Sequence, residues 1–172
     1  MPLHDNPTQA ALYGYIAGIL DGEGTFQITK TTSLHTLAVC NHTGPIYNPR
    51  ICVGMVNKEV IDLLAETLGG NTHVEHTPLN RQDVYRWSIM GRLAVIKALP
   101  VLIPYLRVKR KHAMVLLDYC LNHTDLREKP EDIKATEYQR REEAYQVMRK
   151  LNAVGAAATT KREGAREGEA IV

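Results

Sequence analysis

The sequence predicts an α+β fold: a four-stranded antiparallel sheet with one polar face and helices packed on the other. Three observations carry this. Four short segments alternate apolar and polar residues, the two-residue period of a half-buried strand. Longer segments repeat apolar residues at three and four, the helical period. Cap and turn residues separate these segments in the order α-β-β-α-β-β-α, with further helices behind. At 172 residues, 44% apolar and 23% charged, the chain has the size and composition of one domain able to bury a core.

The first helix is expected to start at the N-cap Asn6, with Pro7 in its first position and Gln9 as a capping-box partner. It is expected to end near Asp21, with Gly22 in the left-handed conformation. Gly14 and Gly18 share a face, and each costs about 1 kcal/mol relative to alanine. Close packing offsets such a cost, so the stripe Gly14, Ala17, Gly18 and Asp21 is expected to meet another helix backbone to backbone. The first strand follows, with Phe26 and Ile28 alternating with Thr25, Gln27, Thr29, Thr31 and Ser33. Residues His42–Asn48 read as a loop, with Gly44-Pro45 and Asn48-Pro49 as turn signals.

A second strand is expected over Arg50–Val56, with Ile51, Val53 and Met55 on one face. Asn57 then caps a helix over Lys58–Leu68 that Gly69-Gly70 stops. Strands follow near Thr72–Thr77 and Val84–Ile89, where Tyr85, Trp87 and Ile89 alternate with Arg86 and Ser88. Helices are expected at Leu93–Leu99, from near Lys109 to Leu121, and within Glu131–Asn152, the last using Tyr138, Ala144, Tyr145, Met148 and Leu151. The domain is taken as 1–154, with 124–154 as C-terminal helices. The segment 155–172 lacks an apolar period and reads as a flexible, disordered or loosely helical tail.

Composition narrows the function classes. Cys40, Cys52 and Cys120 are odd in number and form no CxxC pair, so neither a disulfide framework nor a zinc site is expected and a reducing, intracellular compartment is favoured. No signal peptide is expected, and the longest apolar run, Ala98–Leu106, holds two prolines and is too short to span a bilayer, which favours a soluble protein without a membrane partner. Net charge is +2, but residues 81–111 carry eight basic residues against Asp83 alone, a local balance of +7. Such a zone on a near-neutral chain suits phosphate binding.

Residues Ala17-Gly18-Ile19-Leu20-Asp21-Gly22-Glu23-Gly24 run an apolar, small-residue helix into two acids separated by glycine. This arrangement sets a carboxylate at a helix end beside backbone able to bind a metal. The run resembles the defining motif of the LAGLIDADG homing endonucleases position by position, with Glu23 where the family name has Asp. A second run, Pro104-Tyr105-Leu106-Arg107-Val108-Lys109-Arg110-Lys111, resembles the basic segment that follows the sheet in that family, and the resemblance covers residues 8 to about 123.

The resemblance implies the LAGLIDADG fold, with an αββαββα core and a saddle-like sheet, and a site-specific DNA endonuclease, intron-encoded and dependent on Mg²⁺ with Mn²⁺ as a substitute. Metal ligation falls to Glu23 and the Gly22 carbonyl, and the catalytic-pocket lysine aligns with Lys109. Where the family often has a polar residue at the end of the second strand, this chain has Val53 or Gly54, and Asn57 is the nearest polar substitute. The polar sheet face would read double-stranded DNA with Thr25, Gln27, Thr29, Thr31, Ser33, Arg50, Arg86 and Ser88. From the third strand some of His73, Glu75, His76 and Thr77 would join, its register after Gly69-Gly70 being open by one residue, and from the basic zone Arg107. One motif gives one active-site half, so a homodimer is implied, with Gly14, Ala17, Gly18 and Asp21 at its two-fold axis. No small-molecule cofactor is expected. The alternative on the same fold is an RNA maturase or a non-cleaving DNA-binding protein.

Overall fold

The computed structural model describes residues 7–33, 44–76, 82–126 and 129–168, with side chains described from 8 to 153. The elements are α1 (Pro7–Glu23), β1 (Thr25–Thr31), β2 (Ile46–Met55), α2 (Lys58–Leu68), β3 (Asn71–Glu75), β4 (Val84–Met90), α3 (Arg92–Leu102), α4 (Arg110–Leu121) and α5 (Glu131–Gly168). The strands form one antiparallel sheet in the order β1-β2-β4-β3. The expected fold class and element order are therefore present.

Strand parity divides the sheet. Phe26, Ile28, Ile51, Val53, Trp87 and Ile89 point to one side and are buried there under the helices. They pack with Ile16, Ala17 and Leu20 of α1, Val95, Leu99 and Leu102 of α3, and Leu116 and Tyr119 of α4. Buried polar atoms inside this layer find partners: Trp87 Nε1 donates to Gly69 O at 2.8 Å and Tyr119 Oη to Tyr47 O at 3.0 Å. Helix α5 closes the β1 side. Asn152 Nδ2 donates to Phe26 O at 3.0 Å, and Lys30, on the covered face of β1, pairs with Glu142 at 2.7 Å. No described helix is long and apolar enough to cross a membrane.

Several boundaries differ from expectation. Helix α1 continues to Glu23, and Gly22 is not among the glycines with positive φ. The turn comes at Gly24 instead: its N–H donates to Leu20 O at 3.0 Å, and a Cβ there would lie 2.6 Å from that same oxygen. Strand β2 begins at Ile46, through Asn48-Pro49. Pro49 O accepts from Gly91 N at 2.9 Å, so the side of Pro49 that lacks an N–H faces the end of β4, where the ladder has stopped. Helix α3 runs through Pro100 to Leu102 because the exposed proline ring is flanked by the buried Leu99 and Leu102. Strand β3 is Asn71–Glu75, starting one residue and ending two residues earlier than expected, and α5 extends past Asn152 to Gly168. Asn57 and Gly69 bound α2 as expected, with Asn57 Oδ1 accepting from Val60 N at 3.3 Å. Asn6, Cys40, Thr77 and Arg81 lie outside the described residues.

Candidate functional site

The foot of α1 is where the acidic motif, the sheet face and the basic segment meet. Asp21 does not point outward. Its carboxylate accepts from Arg107 N at 2.7 Å and Lys109 N at 2.8 Å, fixing the turn before α4. Burial acts to raise its pKa, but these backbone bonds and the Lys109 charge outweigh that and hold it below the usual value. Asp21 is thus an anchor within the chain.

Lys109 reaches back to the same helix end. Nζ donates to Leu20 O at 3.1 Å, Gly22 O at 3.2 Å and Gly24 O at 2.7 Å. A cation at a helix C-terminus meets the carbonyls left without intrahelical donors. Burial lowers the Lys109 pKa, against the raising influence of Asp21 and Glu23. Glu23, the last residue of α1, is exposed. Its carboxylate and the Gly22 carbonyl form an oxygen-only donor pair, the chemistry that Mg²⁺ and Mn²⁺ prefer. Among the described residues no group of three or more His, Cys, Asp or Glu side chains stands together.

Asn57 does not stand in this pocket as a free polar group, because its side chain is spent capping α2. Val53 is buried in the core, and Gly54 is on the open face beside Arg86. Neither Val53 nor Gly54 supplies a polar side chain at the end of β2.

The open face of the sheet carries Thr25, Gln27, Thr29 and Thr31 on β1, opposite Cys52, Arg50, Asn48 and Ile46 of β2. On β4, Val84, Arg86, Ser88 and Met90 share that face, with Asn71, His73 and Glu75 of β3 beside them. His73 and Glu75 are thus on the expected side, all of β3 is exposed, and Asn71, Asn48 and Cys52 join them unpredicted. The parity of β3 and the true start of β2 would have found all three. Ser33 lies beyond β1 and His76 beyond β3, where it pairs with Asp83 at 3.0 Å. Ser88 is on the face but only 9% exposed. Arg107 is exposed beside the foot of α1.

The two face arginines differ. Arg86 Nε donates to Glu75 Oε2 at 2.6 Å. Arg50 Nε is buried and has no hydrogen-bond partner among the described residues. An orphaned buried donor costs about 1–3 kcal/mol, so it is primed for an acceptor brought by a ligand.

On α1 the outward line is Ala11, Tyr15, Gly18 and Gly22, with Tyr15 53% exposed. Ala17 is fully buried against its own core, which removes it from the expected stripe. A Cβ on Gly18 would meet nothing within 4 Å, and one on Gly14 only Tyr105 at 3.9 Å. Packing inside the chain therefore does not require these two glycines.

The fold is that of the LAGLIDADG homing endonucleases, the family to which the motif pointed. Similar solved structures include the homing endonuclease I-CvuI in complex with the I-CreI target, at 15% identity over 85% of each chain and a TM-score of 0.67. The archaeal intron-encoded homing endonuclease I-Vdi141I, complexed with DNA, is 17% identical over 81% of this chain and 82% of its own, with a TM-score of 0.61. The homing endonuclease I-TnaI is 16% identical over 82% of this chain and 95% of its own, with a TM-score of 0.57. No protein-family model and no curated protein matches the sequence.

Proposed function

We propose that the chain is a LAGLIDADG homing endonuclease, intron-encoded, that acts as a homodimer and makes a metal-dependent double-strand break in a long pseudo-palindromic DNA site. The observation that carries this reading is the foot of α1, where an exposed Glu23, the Gly22 carbonyl and the Lys109 ammonium stand at the start of an open polar sheet face. Solved neighbours in complex with DNA share the fold that carries it.

The sheet face supplies hydroxyl, amide and guanidinium groups of the kinds that meet base edges in the major groove. Glu23 and Gly22 O would hold Mg²⁺ or Mn²⁺, which polarises a phosphoryl oxygen and activates water. Asp21 and Lys109 keep the two ligand-bearing residues in place through the bonds above. The Lys109 ammonium also lies near the charge that develops on phosphate during cleavage. The unexplained glycines at 14 and 18 would let a second α1 approach closely, bringing two Glu23 groups side by side, one per strand.

A second reading, an RNA maturase or a non-cleaving DNA-binding protein on the same fold, is favoured by one feature: neither Val53 nor Gly54 supplies a polar side chain at the end of β2. One experiment separates them. Duplexes selected by the chain from a randomised library in Ca²⁺ are then given Mg²⁺ or Mn²⁺. Double-strand cleavage that a chelator stops is the expected result. Nicks alone would argue against the dimer, and tight binding without cleavage would favour the second reading.

A further inference from the structure

Arg86 stands in the middle of β4 on the open face, with Gly54 of β2 and His73 of β3 as its cross-strand partners. Its guanidinium is held on one side and has room on the other. Nε donates to Glu75, which lies diagonally across on β3. On the β2 side, Nη1 overhangs Gly54: a Cβ at 54 would stand 3.1 Å from it and 3.6 Å from Cγ and Cζ. Any larger residue there would push the arginine away.

The ion pair is 43% and 52% exposed, and pairs this exposed add little to stability. Fold stability therefore does not account for an acid placed on a face that meets phosphate-rich polymer. Orientation does. A free arginine carries about 2 kcal/mol of rotamer entropy, and fixing it in advance lowers the cost of using it. Engagement through Nε leaves the end of the guanidinium formed by the two terminal nitrogens as a fork of the kind that matches O6 and N7 of guanine.

We infer that Glu75 is a positioning residue which, with the space above Gly54, holds Arg86 ready to read one guanine per half-site. This rests on the reading of the sheet as a DNA-binding face. Glu75 does not itself touch DNA, although sequence parity alone placed it among the base-reading residues.

The test records, for each position of duplexes selected from a randomised library in Ca²⁺, the ratio of binding with guanine to binding with the other bases. Arg86→Ala is expected to remove a preference of roughly tenfold at one position per half-site. Glu75→Gln and Gly54→Ala are expected to weaken the preference at that same position and no other, with the thermal midpoint of Glu75→Gln unchanged. In an Arg86→Ala background, Glu75→Gln should leave the profile as it was. A Glu75→Gln profile that moves at a different position, or affinity that changes equally for all sequences, overturns the inference and makes Glu75 a direct contact or a plain repulsive charge. If the unmutated chain binds no duplex, the DNA-binding reading itself fails and the inference with it. Binding with the guanine position unmoved in Glu75→Gln overturns the inference alone.

Discussion

Two glutamate–arginine pairs of nearly equal length lie on opposite sides of the sheet. Glu137 and Arg141 of α5 meet at 2.8 Å with side chains 6% and 7% exposed. Glu75 and Arg86 meet at 2.6 Å with half of each side chain in solvent. The buried pair is embedded in a network: Arg140 also binds Glu137 through two nitrogens, and Arg141 Nη2 donates to Thr124 O at 2.7 Å, tying α5 to the segment after α4. The exposed pair is embedded in nothing but its neighbours on the open face. Distance alone does not tell what an ion pair is for. Burial assigns the first to the fold and leaves the second open to the positioning role inferred above.

Breaking the buried pair separates the two cases most sharply. Glu137→Ala leaves the buried Arg141 guanidinium, with the part-exposed Arg140 beside it, without its carboxylate and should cost about 3–5 kcal/mol, read as a fall in thermal midpoint. An acid titration of the unmutated protein probes the same network. Burial acts to raise the Glu137 pKa, but the bonds from Arg140 and Arg141 outweigh it and bring the value down to about 2. A folded-state pKa below the unfolded one gives stability that is complete above the ordinary value of 4.5 and is lost as the pH falls toward about 2. Stability should decline through that window in the unmutated protein and less steeply in Glu137→Ala.

On the open face the sign of the expectation changes. Arg50→Met removes an orphaned buried donor but keeps an apolar stem, so the thermal midpoint should hold or rise. DNA binding should weaken by roughly 1–3 kcal/mol if Arg50 reads a base. A drop in stability without a drop in binding would assign Arg50 to the fold. Smallest is the stability change for Glu75→Gln, expected below about 1 kcal/mol. A loss comparable to that of Glu137→Ala would erase the contrast between the two pairs.

The strands were legible because parity is a strict signal: Phe26, Ile28, Trp87 and Ile89 point inward as their alternation required. Asn57 and Gly69 were legible because cap chemistry is local. What escaped depended on partners far along the chain. Gly22 and Gly24 look alike in sequence, and only the approach of Leu20 O shows which one the turn needs. Pro49 and Pro100 read as breaks, yet the end of β4 and the burial of Leu99 and Leu102 make room for both. In α1 nearly every residue is small or apolar, so the pattern could not tell that Ala17 faces inward while Gly18 faces out. In α5, nothing in the sequence sets Glu137 and Arg141 apart from the other charges of the helix. The carbonyl cage around Lys109, formed 85 to 89 residues away in sequence, had no local signature at all.

The whole account turns on the carboxylate that the motif leaves exposed at the end of α1. The most direct measurement compares Glu23→Gln with the unmutated chain on a selected duplex, scoring binding in Ca²⁺ and double-strand cleavage in Mg²⁺. The substitution keeps shape and removes charge. Cleavage should fall by orders of magnitude while binding persists, because the sheet face is untouched. Cleavage by Glu23→Gln at close to the unmutated rate would contradict the account and take Glu23 out of the reaction.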